Sequence, residues 1–220
     1  MPTQTQNEFL KNQATHIKGP VLIVGAKVYG YDAFDFRTLL TEMGVQEIIG
    51  IDILEGDGVD RVVDITNSND TFFKEKEGYF NTIICMSVLM YVGNPFNAGT
   101  NLSRVANQGS KLFLSEPFTH KTTAMPLDMW RFTFDSLAKI FADYSFDASK
   151  NQCSFTRSNI VFKDLRDASS ELVQGVQHPD ESWIAFIWRR IGAKLFARGF
   201  FKISRLMPEI SIFALGTKNE

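Results

Sequence analysis

Apolar runs of strand length alternate with segments of helical periodicity along most of the sequence, and this alternation restricts the fold more than any other feature. The strand-like runs are residues 21–24, 47–53, 61–65, 80–86, 111–115 and 210–216. Helical spacing of apolar side chains is found at 36–43, around 72–73, at 95–106 and at 134–141, with Ser68 and Thr133 as expected N-caps. This order predicts a doubly wound α/β sheet, mostly parallel, with helices on both faces and right-handed crossovers.

The size and composition are those of one folded domain without a membrane-spanning helix. The chain has 220 residues, of which 44% are apolar, and it contains no stretch of about 18 uncharged apolar residues. Its formal net charge of −2 argues against general nucleic-acid binding, and its two cysteines, Cys85 and Cys153, indicate no disulfide framework. The first residues lack the basic and then apolar pattern of a secretory signal, so we expect a cytoplasmic protein.

The first strand-like run ends in a glycine-containing turn, at the edge where open α/β sheets bind ligands. Gly25 and Gly30 have the spacing of the first and last glycines of a dinucleotide-binding turn, but Lys27 replaces the middle glycine. A P-loop is excluded because Tyr31 and Asp32 follow Gly30 in place of Lys and Ser or Thr. The turn alone leaves two interpretations open, namely a cofactor-binding turn and a tight turn that binds nothing.

Aspartates stand at the ends of the second and third strand-like runs. A carboxylate at Asp52 is placed to accept hydrogen bonds from ribose hydroxyls, as in proteins that bind NAD or S-adenosylmethionine. Asp64 is placed to accept a hydrogen bond from an adenine amino group. Either residue alone is better explained as a solvated turn residue, but two of them after a glycine turn favour an adenosine site.

Several segments, in the right order, resemble one enzyme family. Residues 86–118 contain SVLMYV, NPF, LSRV and KLFLSEPF, residues 125–141 read MPLDMWRFTFDSLAKIF, and residues 50–66 read GIDILEGDGVDRVVDIT. These segments are similar to motifs of class I S-adenosylmethionine-dependent methyltransferases, in particular a subgroup with the type-11 methyltransferase domain. The resemblance covers residues 20–146 and the last strand. It implies a Rossmann-like sheet of seven strands, with the last strand antiparallel and inserted beside its neighbour.

The resemblance implies S-adenosylmethionine as the cofactor and assigns its adenosine half to the ends of the second and third strands. Asp52 would hold the ribose, and Ile53 would pack on the adenine ring. Asp64, with Ile65 beside it, would meet the adenine amino group.

The methionine half of the cofactor would lie between the glycine turn and the end of the fourth strand. Gly25 and Gly30 would form the turn beneath it, and Met86 and Ser87 would line its end and the substrate entrance. Lys27 is expected to point away from the sulfonium, toward the cofactor carboxylate, because a cation about 6 Å from the sulfonium costs about 3 kcal/mol at an effective dielectric near 20.

The glycine turn also departs from the family pattern. Ile23 stands where an acidic residue is usual, Lys27 and Tyr29 replace family glycines, and Met90–Tyr91 replaces a common Glu-His pair. The turn is therefore altered, while the other cofactor positions are retained.

Candidates for the acceptor side lie in the loop after the fifth strand. His120 and Asp128 are the candidate catalytic residues, with His120 preferred because histidine titrates near neutral pH. Trp130 and Arg131 are candidate substrate contacts. The alternatives are a surface histidine, an Asp128–Arg131 ion pair and a core lid that contains Trp130. No metal site is expected, because the histidines are widely separated and no Cys/His spacing resembles zinc ligation.

A basic segment, residues 184–207, precedes the last strand. It contains six basic residues and no acidic one, with apolar side chains on the opposite arc of a predicted helix. Two interpretations follow: a helix that covers the sheet with a solvated basic face, and peripheral contact with an anionic membrane.

These observations predict one methyltransferase-like domain. Its parts are an N-terminal arm at 1–18, a cofactor-binding core at 20–146, a helical insertion at 155–208 and the last strand at 209–217. The expected activity is methyl transfer to a small-molecule, sugar or lipid-linked acceptor, in the cytoplasm or at the inner face of the membrane. The alternatives are a non-catalytic adenosine- or S-adenosylmethionine-binding module with a degenerate glycine turn and an NAD-dependent Rossmann enzyme, which the later motifs do not match.

Overall fold

The computed structural model describes residues 2–30, 32, 34–120, 122, 127–154, 163–164, 182–197 and 209–220. Its helices are α1 (Gln4–Asn12), α2 (Phe36–Glu42), α3 (Thr71–Glu75), α4 (Pro95–Val105), α5 (Phe134–Ile140) and α6 (Trp183–Ala197). Its strands are β1 (Val21–Val24), β2 (Ile48–Asp52), β3 (Arg61–Val62), β4 (Phe80–Met86), β5 (Ala106–Thr119), β6 (Tyr144–Phe146), β7 (Gln152–Ser154), β8 (Lys163–Asp164) and β9 (Ile210–Lys218).

One mixed sheet joins all nine of these strands, in the order β3-β2-β1-β4-β5-β9-β7-β8, with β6 also paired to β9. The first five strands in this order are parallel. The predicted α/β class and the antiparallel last strand are confirmed, because β9 runs antiparallel between β5 and β7.

The nine strands exceed the expected seven by two, because one sheet position is divided between two strands and one further strand lies at the edge. Both β6 and β7 pair with β9, at Gly216–Lys218 and at Ser211–Phe213 respectively, and a 3-10 turn at Ala148–Lys150 separates them. Together they occupy the seventh position of the sheet, and β8 pairs with the outer side of β7.

Side chains that cap the N-termini of the helices determine where these helices begin. Thr133 caps α5 by accepting a hydrogen bond from the Ser136 backbone at 3.1 Å, as predicted. The expected Ser68 cap of α3 is wrong, because Asp70 accepts from the Phe72 backbone at 2.9 Å. Asp70 directly precedes the helical residues and therefore satisfies their free N–H groups better than a residue two positions earlier.

The core lies on both faces of the sheet. One cluster packs against α3, α4 and α5, and the other against α1 and α2. In the second cluster the ring of Phe9 on α1 lies 6.0 Å from that of Phe113 on β5 and 5.2 Å from that of Phe213 on β9, centroid to centroid. These contacts anchor α1 beside the two central strands.

Strand order reverses between β1 and β4, and this places a crevice at the carboxyl ends of those two strands. Residues that follow β1, β2 and β4 therefore meet at one edge of the sheet. This edge contains most of the residues singled out from the sequence.

Candidate functional site

The turn after β1 is tightly packed against its neighbours. Gly25 has a φ of +73°, and a Cβ atom at this position would lie only 2.5 Å from Cγ2 of Val88. The Gly25 and Ala26 N–H groups both donate to the Ile51 carbonyl, at 2.9 and 3.0 Å. A glycine is required at Gly25 both by its backbone conformation and by the approach of Val88.

The Asp52 carboxylate joins the glycine turn to the loop after β2. One oxygen accepts from the Lys27 backbone at 3.1 Å, and the other accepts from the Leu54 backbone at 3.0 Å. Each carboxylate oxygen has a second lone pair, so Asp52 retains the capacity to accept hydrogen bonds from a ligand. Next to it, the side chain of Ile53 is 63% exposed, which leaves an apolar surface beside the carboxylate.

Lys27 extends along the loop between β2 and β3. A Cβ atom at Gly56 would lie 2.9 Å from Cε of Lys27, and Nζ of Lys27 is 5.4 Å from the ring centroid of Tyr29. The absence of a side chain at Gly56 thus makes room for the Lys27 stem. This arrangement directs the ammonium along the turn toward Tyr29.

Gly30 has a different environment from Gly25. Both glycines are exposed, but a Cβ atom at Gly30 would meet nothing within 4 Å. The adjacent turn is held by Tyr29 and Asp32, because the Tyr29 N–H donates to the Asp32 carboxylate at 2.8 Å and the Asp32 N–H donates to the Tyr29 carbonyl at 2.8 Å. Packing in the described residues gives no steric requirement for glycine at Gly30.

Asp64 and Ile65, after β3, differ in accessibility. Asp64 is exposed, and one of its oxygens accepts from the Thr66 N–H and hydroxyl at 2.8 and 2.7 Å. The Ile65 side chain lies in the core, and its carbonyl accepts from the Asn101 amide at 2.9 Å. The structure therefore places the Asp64 carboxylate where a ligand can reach it and the Ile65 side chain where one cannot.

The end of β4 is in contact with the first turn of α1. Ser87 has a φ of +56°, and its N–H donates to the Ser115 carbonyl at 2.7 Å. The buried amide of Gln6 donates to the Ser87 hydroxyl at 2.8 Å and to the Ser115 hydroxyl at 3.3 Å. Met86 belongs to the core, so Ser87 is the accessible member of the predicted pair.

Sequence reasoning missed Glu116, a fully buried carboxyl group on β5. It accepts hydrogen bonds from the backbone of Val88, Leu89 and Met90, at 3.0, 2.9 and 3.3 Å. Burial raises its pKa to about 8, although these three N–H groups favour the ionised form. Glu116 thereby fixes the turn that carries Val88 over Gly25.

A sequence signal for Glu116 did exist. Side chains alternate between the two faces of a strand, so Glu116 shares a face of β5 with the buried residues Leu112 and Leu114. A carboxyl group in register with core leucines indicates a buried acid that needs specific partners.

On the acceptor side, Asp128 and Arg131 form an ion pair, as the alternative interpretation had it. The Arg131 guanidinium donates to both carboxylate oxygens of Asp128, one of them at 2.8 Å, and to the His120 carbonyl at 3.0 Å. The hydrogen bond to Asp128 raises the pKa of Arg131. An Asp128 engaged in this way orients Arg131 and is not positioned as a free base.

His120 and Trp130 lie next to this ion pair. Nε2 of His120 is 3.7 Å from Oε1 of Glu209, the residue before β9. The Trp130 indole N–H donates to the Val92 carbonyl at 2.8 Å, and the ring remains partly exposed. The loop after β5 is thus attached to the turn after β4, with the indole at its surface and the imidazole largely buried, at 9% side-chain exposure.

Solved methyltransferase structures match nearly the whole chain. An S-adenosylmethionine-dependent methyltransferase from Archaeoglobus fulgidus has a TM-score of 0.56 at 15% identity, and the match covers 96% of this chain and 92% of that one. A putative methyltransferase from Bacillus halodurans has a TM-score of 0.55 at 12% identity, covering 97% and 99% respectively. The Haemonchus contortus phosphoethanolamine N-methyltransferase 2, in complex with phosphomonomethylethanolamine and S-adenosylhomocysteine, has a TM-score of 0.56 at 12% identity, covering 99% and 53%.

These matches define the fold of the chain as that of class I S-adenosylmethionine-dependent methyltransferases. No protein-family model and no curated protein matches the sequence. Within the described residues, no group of three or more His, Cys, Asp or Glu side chains is arranged to hold a metal ion.

The residues after β2 and β3 fit the adenosine part of such a cofactor. A carboxylate with remaining acceptor capacity lies beside an exposed apolar side chain, and a second accessible carboxylate follows β3. Past the end of β4, the Ser87 hydroxyl, which accepts from the Gln6 amide, precedes Val88, the residue that packs on Gly25.

Proposed function

We propose that this protein transfers a methyl group from S-adenosylmethionine to a small-molecule, sugar or lipid-linked acceptor in the cytoplasm. The observation that carries the proposal is the position of Asp52, whose carboxylate lies between the glycine turn and the loop after β2, beside the exposed Ile53. The methyltransferase fold of the structural matches supports the same activity.

In this proposal S-adenosylmethionine supplies an electrophilic methyl group, and the protein contributes mainly position. Asp52 and Ile53 hold the adenosine, Asp64 accepts from the adenine amino group, and Ser87 borders the methionine end. Correct placement of two reactants accounts for a large part of the acceleration of such a displacement.

His120 is the proposed base for an oxygen or nitrogen acceptor that must lose a proton. Glu209 lies within 3.7 Å of its imidazole and orients it. The partly exposed Trp130 ring and the Arg131 guanidinium, fixed by Asp128, are the proposed acceptor contacts. In this arrangement Asp128 acts through Arg131.

A second candidate function is a binding module without turnover. It is favoured by the close contact between Gly25 and Val88 and by the Lys27 side chain in the altered turn. Such a module would bind S-adenosylhomocysteine and S-adenosylmethionine alike but would transfer no methyl group to any acceptor.

Ligand-induced stabilisation tests the cofactor site. S-adenosylhomocysteine at 100 times its dissociation constant is expected to stabilise the fold by about 2.7 kcal/mol and to raise Tm by roughly 5–10 °C. NAD at the same concentration is the control and should leave Tm unchanged. Equal shifts with both ligands, or no shift with millimolar S-adenosylhomocysteine in a thermal melt, would contradict the proposed cofactor.

Substitution at the end of β2 tests the role of Asp52. Asp52→Ala is expected to weaken S-adenosylhomocysteine binding about 10- to 150-fold, since the loss of hydrogen bonds to a charged group costs about 1.5–3 kcal/mol. Asp57→Ala is the matched control, because the Asp57 side chain is exposed on the loop that follows Asp52, and its hydrogen bond within the described residues is made by its carbonyl, which accepts from the Val28 N–H at 2.8 Å. Calorimetric titration of both variants should separate them, and equal affinities would remove Asp52 from the site.

A further inference from the structure

Helix α6 exposes a continuous stripe of large apolar side chains. Their exposed fractions are 62% for Trp183, 69% for Ile184, 39% for Ile187, 66% for Trp188 and 42% for Ile191. At 100° per residue these five positions fall within an arc of about 140° on one side of the helix. Single apolar residues on a surface need no explanation, but a contiguous stripe that includes two tryptophans marks an interaction surface.

Among the residues of α6 whose side chains the structure describes, one is buried, and it lies beside the stripe. Phe186 is buried, and its ring centroid lies 5.7 Å from that of Trp183. The Arg190 guanidinium carbon lies 5.6 Å from the ring centroid of Phe186, and this side chain is exposed. On the helical projection Arg190 falls at the border of the stripe, about 20° outside Trp183.

The sequence of α6 contains three basic residues, Arg189, Arg190 and Lys194, and no acidic one, although Asp180 and Glu181 precede the helix. Residues 184–207 carry a formal charge of +6, and the rest of the chain carries −8, since the whole chain carries −2. The basic segment is therefore electrostatically complementary to an anionic surface although the protein as a whole is acidic.

We propose that the stripe on α6 docks onto an anionic lipid surface, with the helix lying in the plane of the interface. Tryptophan and isoleucine beside basic residues form the composition that binds this region of a bilayer, where indole rings prefer the headgroup level. None of the helices in the described part of the chain is long and apolar enough to cross a membrane, so α6 contacts the surface without spanning it. This docking does not depend on the proposed methyl transfer.

Vesicle co-sedimentation tests the docking. The full chain is expected to bind vesicles that contain phosphatidylserine at least tenfold more tightly than vesicles of phosphatidylcholine alone. Raising the salt from 0.1 to 0.5 M should weaken this binding severalfold, because salt screens the basic residues. Tryptophan fluorescence should shift to the blue on binding, since two of the three tryptophans are in the stripe.

A pair of matched substitutions identifies the surface. Ile184→Asp should reduce binding to phosphatidylserine vesicles at least tenfold, because it places a charge within the stripe, at its most exposed residue. Val62→Asp makes a similar change at an exposed side chain on β3 and should leave binding unchanged. Circular dichroism of both variants verifies that they fold.

Two results would overturn the proposal. One is vesicle binding that is negligible in the wild type or equal in wild type and Ile184→Asp. The other is a wild-type dimer in solution that Ile184→Asp converts to a monomer while vesicles bind neither protein, which would assign the stripe to a second copy of the chain.

Discussion

The free energy of unfolding of the wild type is expected to fall by roughly 4 kcal/mol relative to that of Glu116→Gln as the pH rises from about 4.5 to about 8. In the folded protein burial keeps Glu116 protonated up to a pKa of about 8, whereas in the unfolded chain the same group ionises near its ordinary value of 4.5. Its contribution to stability is therefore complete below pH 4.5 and is lost as the pH passes through 8. Glutamine stays neutral, and its carbonyl oxygen can still accept from the Val88 and Leu89 N–H groups.

Denaturant unfolding of both proteins across this pH range measures the effect, because groups that titrate identically in both proteins cancel in the difference. Glu77→Gln is the control: it removes an exposed ion pair with Arg104, formed at 2.8 Å, and should change stability by less than about 1 kcal/mol throughout. A constant difference between wild type and Glu116→Gln would mean that the three backbone N–H groups keep Glu116 ionised.

Gly25→Ala is expected to destabilise the fold by about 3 kcal/mol, the second of the two largest effects. An alanine at a φ of +73° costs about 1–2 kcal/mol, and its Cβ would lie 2.5 Å from Cγ2 of Val88, which adds the cost of overpacking. The same change should weaken S-adenosylhomocysteine binding, because Val88 must shift within the turn after β4.

A comparison with Gly109→Ala distinguishes the cost of backbone strain from the cost of steric overlap with Val88. Its φ is +72°, nearly that of Gly25, but a Cβ atom there would meet nothing within 4 Å. Gly109→Ala should therefore cost only about 1–2 kcal/mol. In a Val88→Ala background Gly25→Ala should cost no more than Gly109→Ala does, and an undiminished cost in that double variant would refute the steric explanation.

The bounds of three of the five parallel strands could be predicted because these strands are marked locally, whereas β3 is shorter and β5 longer than the predicted runs 61–65 and 111–115. The apolar runs 21–24, 47–53 and 80–86 coincide with β1, β2 and β4, which differ from them by one residue or less at each end. The division of the seventh position into β6 and β7 could not be predicted, because each strand has only three residues and acquires its place from pairing with β9, more than 50 residues later. Such short strands carry no periodicity that a sequence can show.

The residues of the candidate site could be predicted where they lie at the end of a strand or directly after it. They were harder to predict where tertiary packing determines the position of the side chain. Asp52 and Ile53 lie at the predicted edge because β2 ends there. Ile65 was placed in the site from its neighbour Asp64, but β3 ends at Val62 and the Ile65 side chain turns into the core. The contact of Gln6 with Ser87 joins residues 81 positions apart, and nothing local to either residue indicates it.

The place of β9 in the sheet has a consequence for the order of folding during synthesis. Because β9 lies between β5 on one side and β6 and β7 on the other, these three strands lack their shared neighbour until residues 210–218 have been made. Until then β5 presents an open edge of backbone N–H and C=O groups, which can pair with strands of other chains. The sheet is thus completed only after all its other strands have been synthesised, and the nascent chain exposes this edge for as long as β9 is missing.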